Sequence, residues 1–276
     1  MATAIVGNVE IYHEVQGQGE PVILVPPSWW PAATWNIGVV PTLSRHHQTI
    51  ILDCRGTGRS SKPQDGYTVT QLAADCLGLL DHLQISHCHA VGFAMGSQVV
   101  QALAIEHPER IATLTMAASG PGSQTLDGKE RQLSSAAGEI REQGFERYIR
   151  SHIDNDGMAF TPSFYRDHRQ IAADLADALW SGQSTLEQSR LHEDARLTWQ
   201  PLEEAAKVTV PTLILCGEDD LVERRGSTPA GTAQQLAERT PGAELALIPG
   251  TRHMTFWDGD GALSALKSFL ARNPMV

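Results

Sequence analysis

The segment Val91-Gly92-Phe93-Ala94-Met95-Gly96 joins an apolar strand pattern to a helical one, and it gives the strongest indication of the fold. The two glycines on either side of Ala94 permit a very tight turn between the strand and the helix. Such a turn raises the side chain at its centre above the sheet, at the helix N-terminus, where developing negative charge is stabilised. The Gly-x-x-x-Gly pattern alone is common, but the strand before it and the helix after it make this example specific.

The segments on both sides of this turn alternate between the two patterns. Short apolar runs predict buried parallel strands at Val22–Val25, Thr49–Leu52, Cys88–Val91, Ala112–Met116, Thr212–Cys216 and Leu245–Ile248. Helical periodicity predicts helices at Val69–Leu83, Ser97–Glu106, Thr232–Arg239 and Ala262–Arg272. Ala4–Val15, with Gly7-Asn8 at its turn, predicts an antiparallel hairpin. This order predicts an α/β fold with a mostly parallel central sheet of about eight strands and helices on both faces.

The alternation stops between the sixth and seventh predicted strands. Residues 121–200 are polar and carry no strand pattern, and their periodicity predicts helices at Lys129–Ile149, Ser163–Trp180 and Thr185–Leu197. We therefore expect an inserted helical cap at 121–200, on a core formed by residues 1–120 and 201–276. A single large α/β domain with one insertion suits a chain of 276 residues.

After the turn at Ala94, the chain contains an acid and then a histidine, each next to a predicted strand end, which is the order that acyl transfer uses in such folds. The predicted strand that ends at Cys216 runs into an acidic turn, in which Asp220 is the predicted acid and Asp219 the alternative. Of the 11 histidines, only His253 lies between the last predicted strand and the final helix. We predict that His253 is the catalytic base and that the acid orients it.

These features, together with Asp53-Cys54-Arg55-Gly56-Thr57-Gly58-Arg59-Ser60, resemble the α/β-hydrolase superfamily over nearly the whole chain. The resemblance implies a capped serine hydrolase of the esterase or lactonase type, with a nucleophile, an acid and a base at Ala94, Asp220 and His253. One departure concerns the loop after the third strand, where relatives usually have His-Gly and this chain has Pro26-Pro27-Ser28-Trp29-Trp30. Because proline has no backbone N–H, we expect the oxyanion donors to be Ser28 and Met95, with Trp29 as the alternative to Ser28.

The alanine at position 94 requires an explanation, because a methyl group cannot attack a carbonyl. One hypothesis is a serine hydrolase inactivated by a deliberate Ser-to-Ala change, and we prefer it here because Asp220 and His253 are both intact. The other is a natural alanine, as in the Rut-pathway aminoacrylate hydrolase, which the chain resembles in its Asp-x-Arg-Gly-Thr-Gly turn and its Gly-x-Ala-x-Gly turn. In that case His253 would activate water. A C–C bond hydrolase and a non-catalytic small-molecule binder on the same fold remain alternatives.

Tryptophans give the only indication of the substrate. Trp29, Trp30 and Trp180 lie in the predicted oxyanion loop and cap, so they are predicted to line an apolar pocket for a bulky or aromatic ester or lactone. Trp35 and Trp199 are expected to pack in the core.

Composition excludes several classes of partner. A net charge of −11 argues against nucleic acid and anionic membranes, so a small molecule is the expected partner. The four cysteines are isolated, which predicts buried free thiols, no metal site and no cofactor. No signal peptide and no membrane-length apolar run are visible, so we expect a cytoplasmic protein; a homodimer is left open.

Overall fold

One sheet of eight strands, in the order β1-β2-β4-β3-β5-β6-β7-β8, runs through the protein. The structure, a computed structural model, describes residues 2–121, 144–153, 159–182, 185–220 and 228–275. The strands are β1 (Ala2–Val6), β2 (Val9–Gln16), β3 (Glu20–Val25), β4 (His47–Leu52), β5 (Cys88–Phe93), β6 (Ile111–Ala117), β7 (Thr212–Gly217) and β8 (Glu244–Ile248). The two pairs that involve β2, with β1 and with β4, are antiparallel, and the five pairs from β4 to β8 are parallel. The predicted α/β-hydrolase architecture is therefore confirmed.

Helices cover both faces of the sheet. They are α1 (Val39–Leu43), α2 (Val69–His82), α3 (Met95–Glu106), α4 (Phe145–Ile153), α5 (Pro162–Asp167), α6 (Arg169–Ser181), α7 (Leu186–Thr198), α8 (Pro201–Glu204), α9 (Pro229–Arg239) and α10 (Gly261–Arg272). Short 3₁₀ turns occupy Ala32–Asn36, Pro108–Arg110 and Ala205–Lys207. The described residues between β6 and β7 form helices α4 to α8 and a 3₁₀ turn, and no strand.

Two apolar clusters hold the layers together. Because successive side chains of a strand point to opposite faces, Ile23 and Val25 join one cluster while Val22 and Leu24 join the other. The first cluster contains side chains from α2, α3 and α9, and the second contains side chains from α1, α6 and α10. The inner parallel strands β3, β5, β6 and β7 are thus covered on both sides, which explains their nearly continuous apolar sequences, whereas Leu245 on the edge strand β8 is 41% exposed.

Some predicted boundaries were wrong. The single helix predicted at Ser163–Trp180 is two helices, because His168 between them adopts a non-helical backbone with φ −133° and ψ 37°. Helix α9 begins at Pro229 rather than Thr232, since the Thr228 side chain accepts a hydrogen bond from Gly231 N at 3.1 Å and caps the helix. Most of the helix predicted at Lys129–Ile149 lies outside the described residues.

The four cysteines are buried and unpaired, as predicted. Burial raises the pKa of the Cys88 thiol to about 12, so this group stays protonated and unreactive at neutral pH. None of the described helices combines the length and apolarity that crossing a membrane requires.

Candidate active site

The turn between β5 and α3 holds Ala94 in an uncommon backbone conformation. Its φ is 50° and its ψ is −114°, a region that residues with a Cβ rarely adopt. Hydrogen bonds on both sides stabilise it: Ala94 N donates to Ala117 O at 2.9 Å, and Ser97 N donates to Ala94 O at 3.1 Å. The Ala94 side chain is partly exposed at the carboxyl edge of the sheet, where the sequence predicts the reaction centre.

Both glycines of the turn are required for steric reasons. A Cβ added to Gly92 would lie 2.1 Å from Gly96 O, and one added to Gly96 would lie 2.1 Å from Val25 O. The turn is therefore packed against itself and against the end of β3. This close packing places the N-terminus of α3, beginning with the Met95 amide, next to the loop that follows β3.

Asp220 and His253 meet at the ends of β7 and β8. His253 Nδ1 lies 2.8 Å from Asp220 Oδ2, and the Asp220 side chain is 1% exposed. A carboxylate only accepts hydrogen bonds, so Nδ1 carries the proton and Nε2 of the neutral ring is a free base. Asp219, the alternative acid, is exposed, and its backbone N–H donates to Thr251 O. The pairing with His253 thus falls to Asp220.

The loop that carries His253 is held from both sides. Arg252 N donates to Asp258 Oδ2 at 2.7 Å, and Met254 N donates to Ala159 O at 2.9 Å. The same Asp258 carboxylate accepts hydrogen bonds from Thr161 N and Thr161 Oγ1, just before α5. Burial raises the pKa of Asp258, and these donors oppose that effect. No sequence pattern distinguishes Asp258, because an aspartate shortly before a helix is ordinarily a helix cap.

Of the two candidates for the second oxyanion donor, Trp29 is already engaged. Trp29 N donates to His192 Nδ1 at 2.7 Å, and Trp29 has a positive φ of 54°. Ala32 N donates to Asp53 Oδ1 at 2.6 Å, which ties the same loop to the turn after β4. In the described part of the chain, the Ser28 amide donates to no protein acceptor. Met95 N is the first amide of α3 and has no partner within the helix.

Trp29, Trp30 and Trp180, which are predicted to line a pocket, differ from one another in burial and contacts. Trp30 is 5% exposed and packs against Phe93, Trp257 and Trp29 with ring centroids 6.1 to 6.4 Å apart. Trp29 is partly exposed beside it. Trp180 is 44% exposed on α6, and the ring contacts among the described residues do not include it. The structure therefore brings Trp29 and Trp30 together, and a substrate contact for Trp180 stays a prediction.

Comparison with known proteins agrees with this architecture. A family model described as alpha/beta hydrolase fold matches residues 21–260. The chain belongs to the α/β-hydrolase fold family. A protein of Azorhizobium caulinodans that bears the name carbamate hydrolase RutD is 28% identical over 254 residues, 90% of this chain and 89% of that protein. The 3-oxoadipate enol-lactonase 2 of Acinetobacter baylyi is 31% identical over 173 residues, 63% and 61% of the two chains.

Among solved structures, the enol-lactonase of Burkholderia xenovorans LB400 superposes with a TM-score of 0.83 at 23% identity, covering 98% of this α/β-hydrolase and 100% of that chain. At this identity the likeness shows the shared fold. The family match and the named relatives identify the chain as a hydrolase. No group of three or more candidate metal-ligand side chains is assembled within the described residues.

Proposed function

We propose that this α/β-hydrolase cleaves a small ester, lactone or carbamate, and that Ala94 is its native residue. Water attacks the carbonyl carbon directly, without a covalent acyl-enzyme. The observation that carries the proposal is the intact hydrogen bond between Asp220 and His253, beside a strained turn that presents a methyl group. A protein without hydrolytic activity would have no need for either feature.

The chemistry follows from the roles of the groups. Nε2 of His253 removes a proton from water as the oxygen attacks, and the carbonyl oxygen becomes an oxyanion. The Ser28 and Met95 amides stabilise that charge. The bond to the leaving oxygen or nitrogen then breaks, and the imidazolium returns its proton to the leaving group. The buried Asp220 carboxylate stabilises the imidazolium between these two steps.

The relatives support this form of the mechanism over an inactivated serine enzyme. Four of the curated relatives, at 26% to 28% identity, bear the name carbamate hydrolase RutD. The Rut-pathway enzyme that the chain resembles has alanine in the same turn. A methyl group in place of a hydroxyl also leaves room for the attacking water near the His253 ring.

A second candidate function rests on a separate observation. Apart from the hydroxyl, the groups required for acyl transfer are present, and a 31% identical relative bears the name enol-lactonase. In this alternative, Ala94 replaces the serine of an ester or lactone hydrolase. We further propose that residues 121–200 form the cap over the substrate in either case.

The decisive experiment compares native protein with Ala94→Ser. Initial rates are measured for both forms on three sets of substrates of similar size: esters of small acids, small lactones and small carbamates. We expect the native form to turn over at least one of them, and Ala94→Ser to gain at most a trace of ester hydrolysis. In the native form, His253→Gln should lower kcat by about 10²–10⁴-fold, the usual contribution of a general base.

The opposite result has a clear meaning. If only Ala94→Ser turns over, with a gain of several orders of magnitude, the native-alanine mechanism is wrong and the serine-hydrolase alternative is correct. If neither form turns over while a substrate still binds, the protein is a binder. Circular dichroism of each variant serves as the folding control.

A further inference from the structure

One buried histidine of the inserted segment contacts two loops at the carboxyl edge of the sheet. His192 lies on α7, is 0% exposed and accepts the Trp29 N–H at Nδ1 over 2.7 Å. Its Nε2 lies 2.7 Å from Arg55 O in the turn after β4. A single imidazole thus joins α7 to the loop after β3 and to the turn after β4.

The identity of the two partners determines the state of the ring. A backbone N–H can only donate, so Nδ1 must be unprotonated, and a carbonyl can only accept, so Nε2 must carry the proton. Protonation of Nδ1 would place two donors against each other. Burial lowers the pKa of His192 to about 4, which keeps the ring neutral at physiological pH. Both contacts can therefore persist under working conditions.

The contact with Trp29 acts on a strained part of the loop. Trp29 has a φ of 54°, a conformation that a tryptophan does not adopt without support. The hydrogen bond to His192 fixes the plane of the Ser28–Trp29 peptide. It also commits the Trp29 amide to a protein acceptor, so that the neighbouring Ser28 amide is the one left for a ligand oxygen.

We infer that His192 is a positioning residue, which holds the loop after β3 so that the Ser28 amide stays aimed at the same point as the Met95 amide. The inference rests on the proposed function, since it assigns a residue that supports the oxyanion site of that reaction. His192 acts through the backbone of Trp29 and touches no reacting atom. Neither the composition nor the motif pattern of the chain indicates this role.

A purely structural role is the main alternative, and the chain offers a matched control for it. His89 is also 0% exposed, and burial lowers its pKa as well. Its two ring nitrogens lie 2.9 Å from Thr113 Oγ1 and 3.3 Å from Glu20 Oε2, at the start of β5 and far from the carboxyl edge. Replacing His89 therefore removes comparable contacts without disturbing the loop after β3.

Two conservative variants separate the two contacts of His192. In His192→Asn, the side-chain oxygen occupies the place of Nδ1 and can still accept the Trp29 N–H. In His192→Gln, the amide nitrogen occupies the place of Nε2 and can still donate to Arg55 O, but Trp29 loses its acceptor. Each variant keeps one contact and loses the other, so their stabilities should be similar.

Kinetics in the form that turns over, native or Ala94→Ser, gives the first test. Loss of one oxyanion donor costs about 10²–10³-fold in kcat, and a misaligned donor should cost less, about 10- to 30-fold. We expect that loss for His192→Gln with KM within about twofold, while His192→Asn stays within about threefold of the parent. His89→Asn should lower Tm and leave kcat unchanged. Equal losses in His192→Asn and His192→Gln, or no loss in either, would overturn the positioning role.

Nuclear magnetic resonance of the native protein gives a second test that needs no substrate. With nitrogen-15 labelling, we expect an unprotonated Nδ1 at pH 7 and a coupling across the hydrogen bond to Trp29 N. A protonated Nδ1, or no coupling, would overturn the inference directly. If one form turns over but His192→Asn and His192→Gln behave alike, the positioning role fails and the proposed function stands. If neither form turns over, both fail.

Discussion

The backbone strain at Ala94 can be measured by replacing this residue with glycine and comparing the free energies of unfolding. Position 94 has φ 50° and ψ −114°, which costs a residue with a Cβ about 1–3 kcal/mol relative to glycine. In Ala94→Gly that cost disappears. Against it stand the greater entropy of an unfolded glycine, about 0.5–1 kcal/mol, and the loss of a partly buried methyl, at most about 0.8 kcal/mol. The sum of these terms changes the free energy of unfolding by between about −0.8 and about +2.5 kcal/mol.

The same substitution in a helix supplies the reference. Ala237 is partly buried in α9, where no backbone strain offsets the change, so Ala237→Gly should lose about 1 kcal/mol. Urea unfolding of both variants and of native protein, followed by circular dichroism, measures the difference. We expect Ala94→Gly to be more stable than Ala237→Gly by at least about 1 kcal/mol. Equal destabilisation of the two variants would refute the idea that the turn stores strain.

Two further predictions concern the histidines and their partners. In Asp220→Asn, the new amide can donate to His253 Nδ1, which moves the ring proton to Nε2 and removes the base. We therefore expect kcat to fall by about 10⁴-fold with little change in Tm. A fall of less than tenfold would contradict the assignment of Asp220 as the acid. Because the folded pKa of His192 is about 4 against an ordinary 6.5, its stabilising contribution is complete above pH 6.5 and is lost as pH falls through 4. The difference in unfolding free energy between native protein and His192→Asn should shrink by about 1–3 kcal/mol between pH 7 and pH 4, and a constant difference would show that His192 does not titrate this way.

The candidate site was predictable to the extent that local rules control it. Ala94, Asp220 and His253 each follow the end of a parallel strand. Because the carboxyl ends of parallel strands lie at one edge of the sheet, their placement at that edge could be predicted. Two contacts were not predictable: the hydrogen bond that occupies the Trp29 amide, and the hydrogen bonds by which Asp258 holds the His253 loop. Each depends on which loops lie next to each other in the fold. The break between α5 and α6 at His168 was not predictable for a different reason: the apolar period continues across it.

The sheet and the turn at position 94 could be predicted from local patterns in the chain. Gly92 and Gly96 are local steric requirements, because any Cβ there would lie 2.1 Å from a backbone oxygen, and the strand–helix alternation permits few topologies. Two contacts follow from the packing of the folded chain alone: Asp220 rather than Asp219 pairs with His253, and His192 accepts the Trp29 N–H. These contacts join residues 33 and 163 positions apart. Such hydrogen bonds form only after packing has fixed the separations and angles between loops, and no local pattern in the chain encodes those distances.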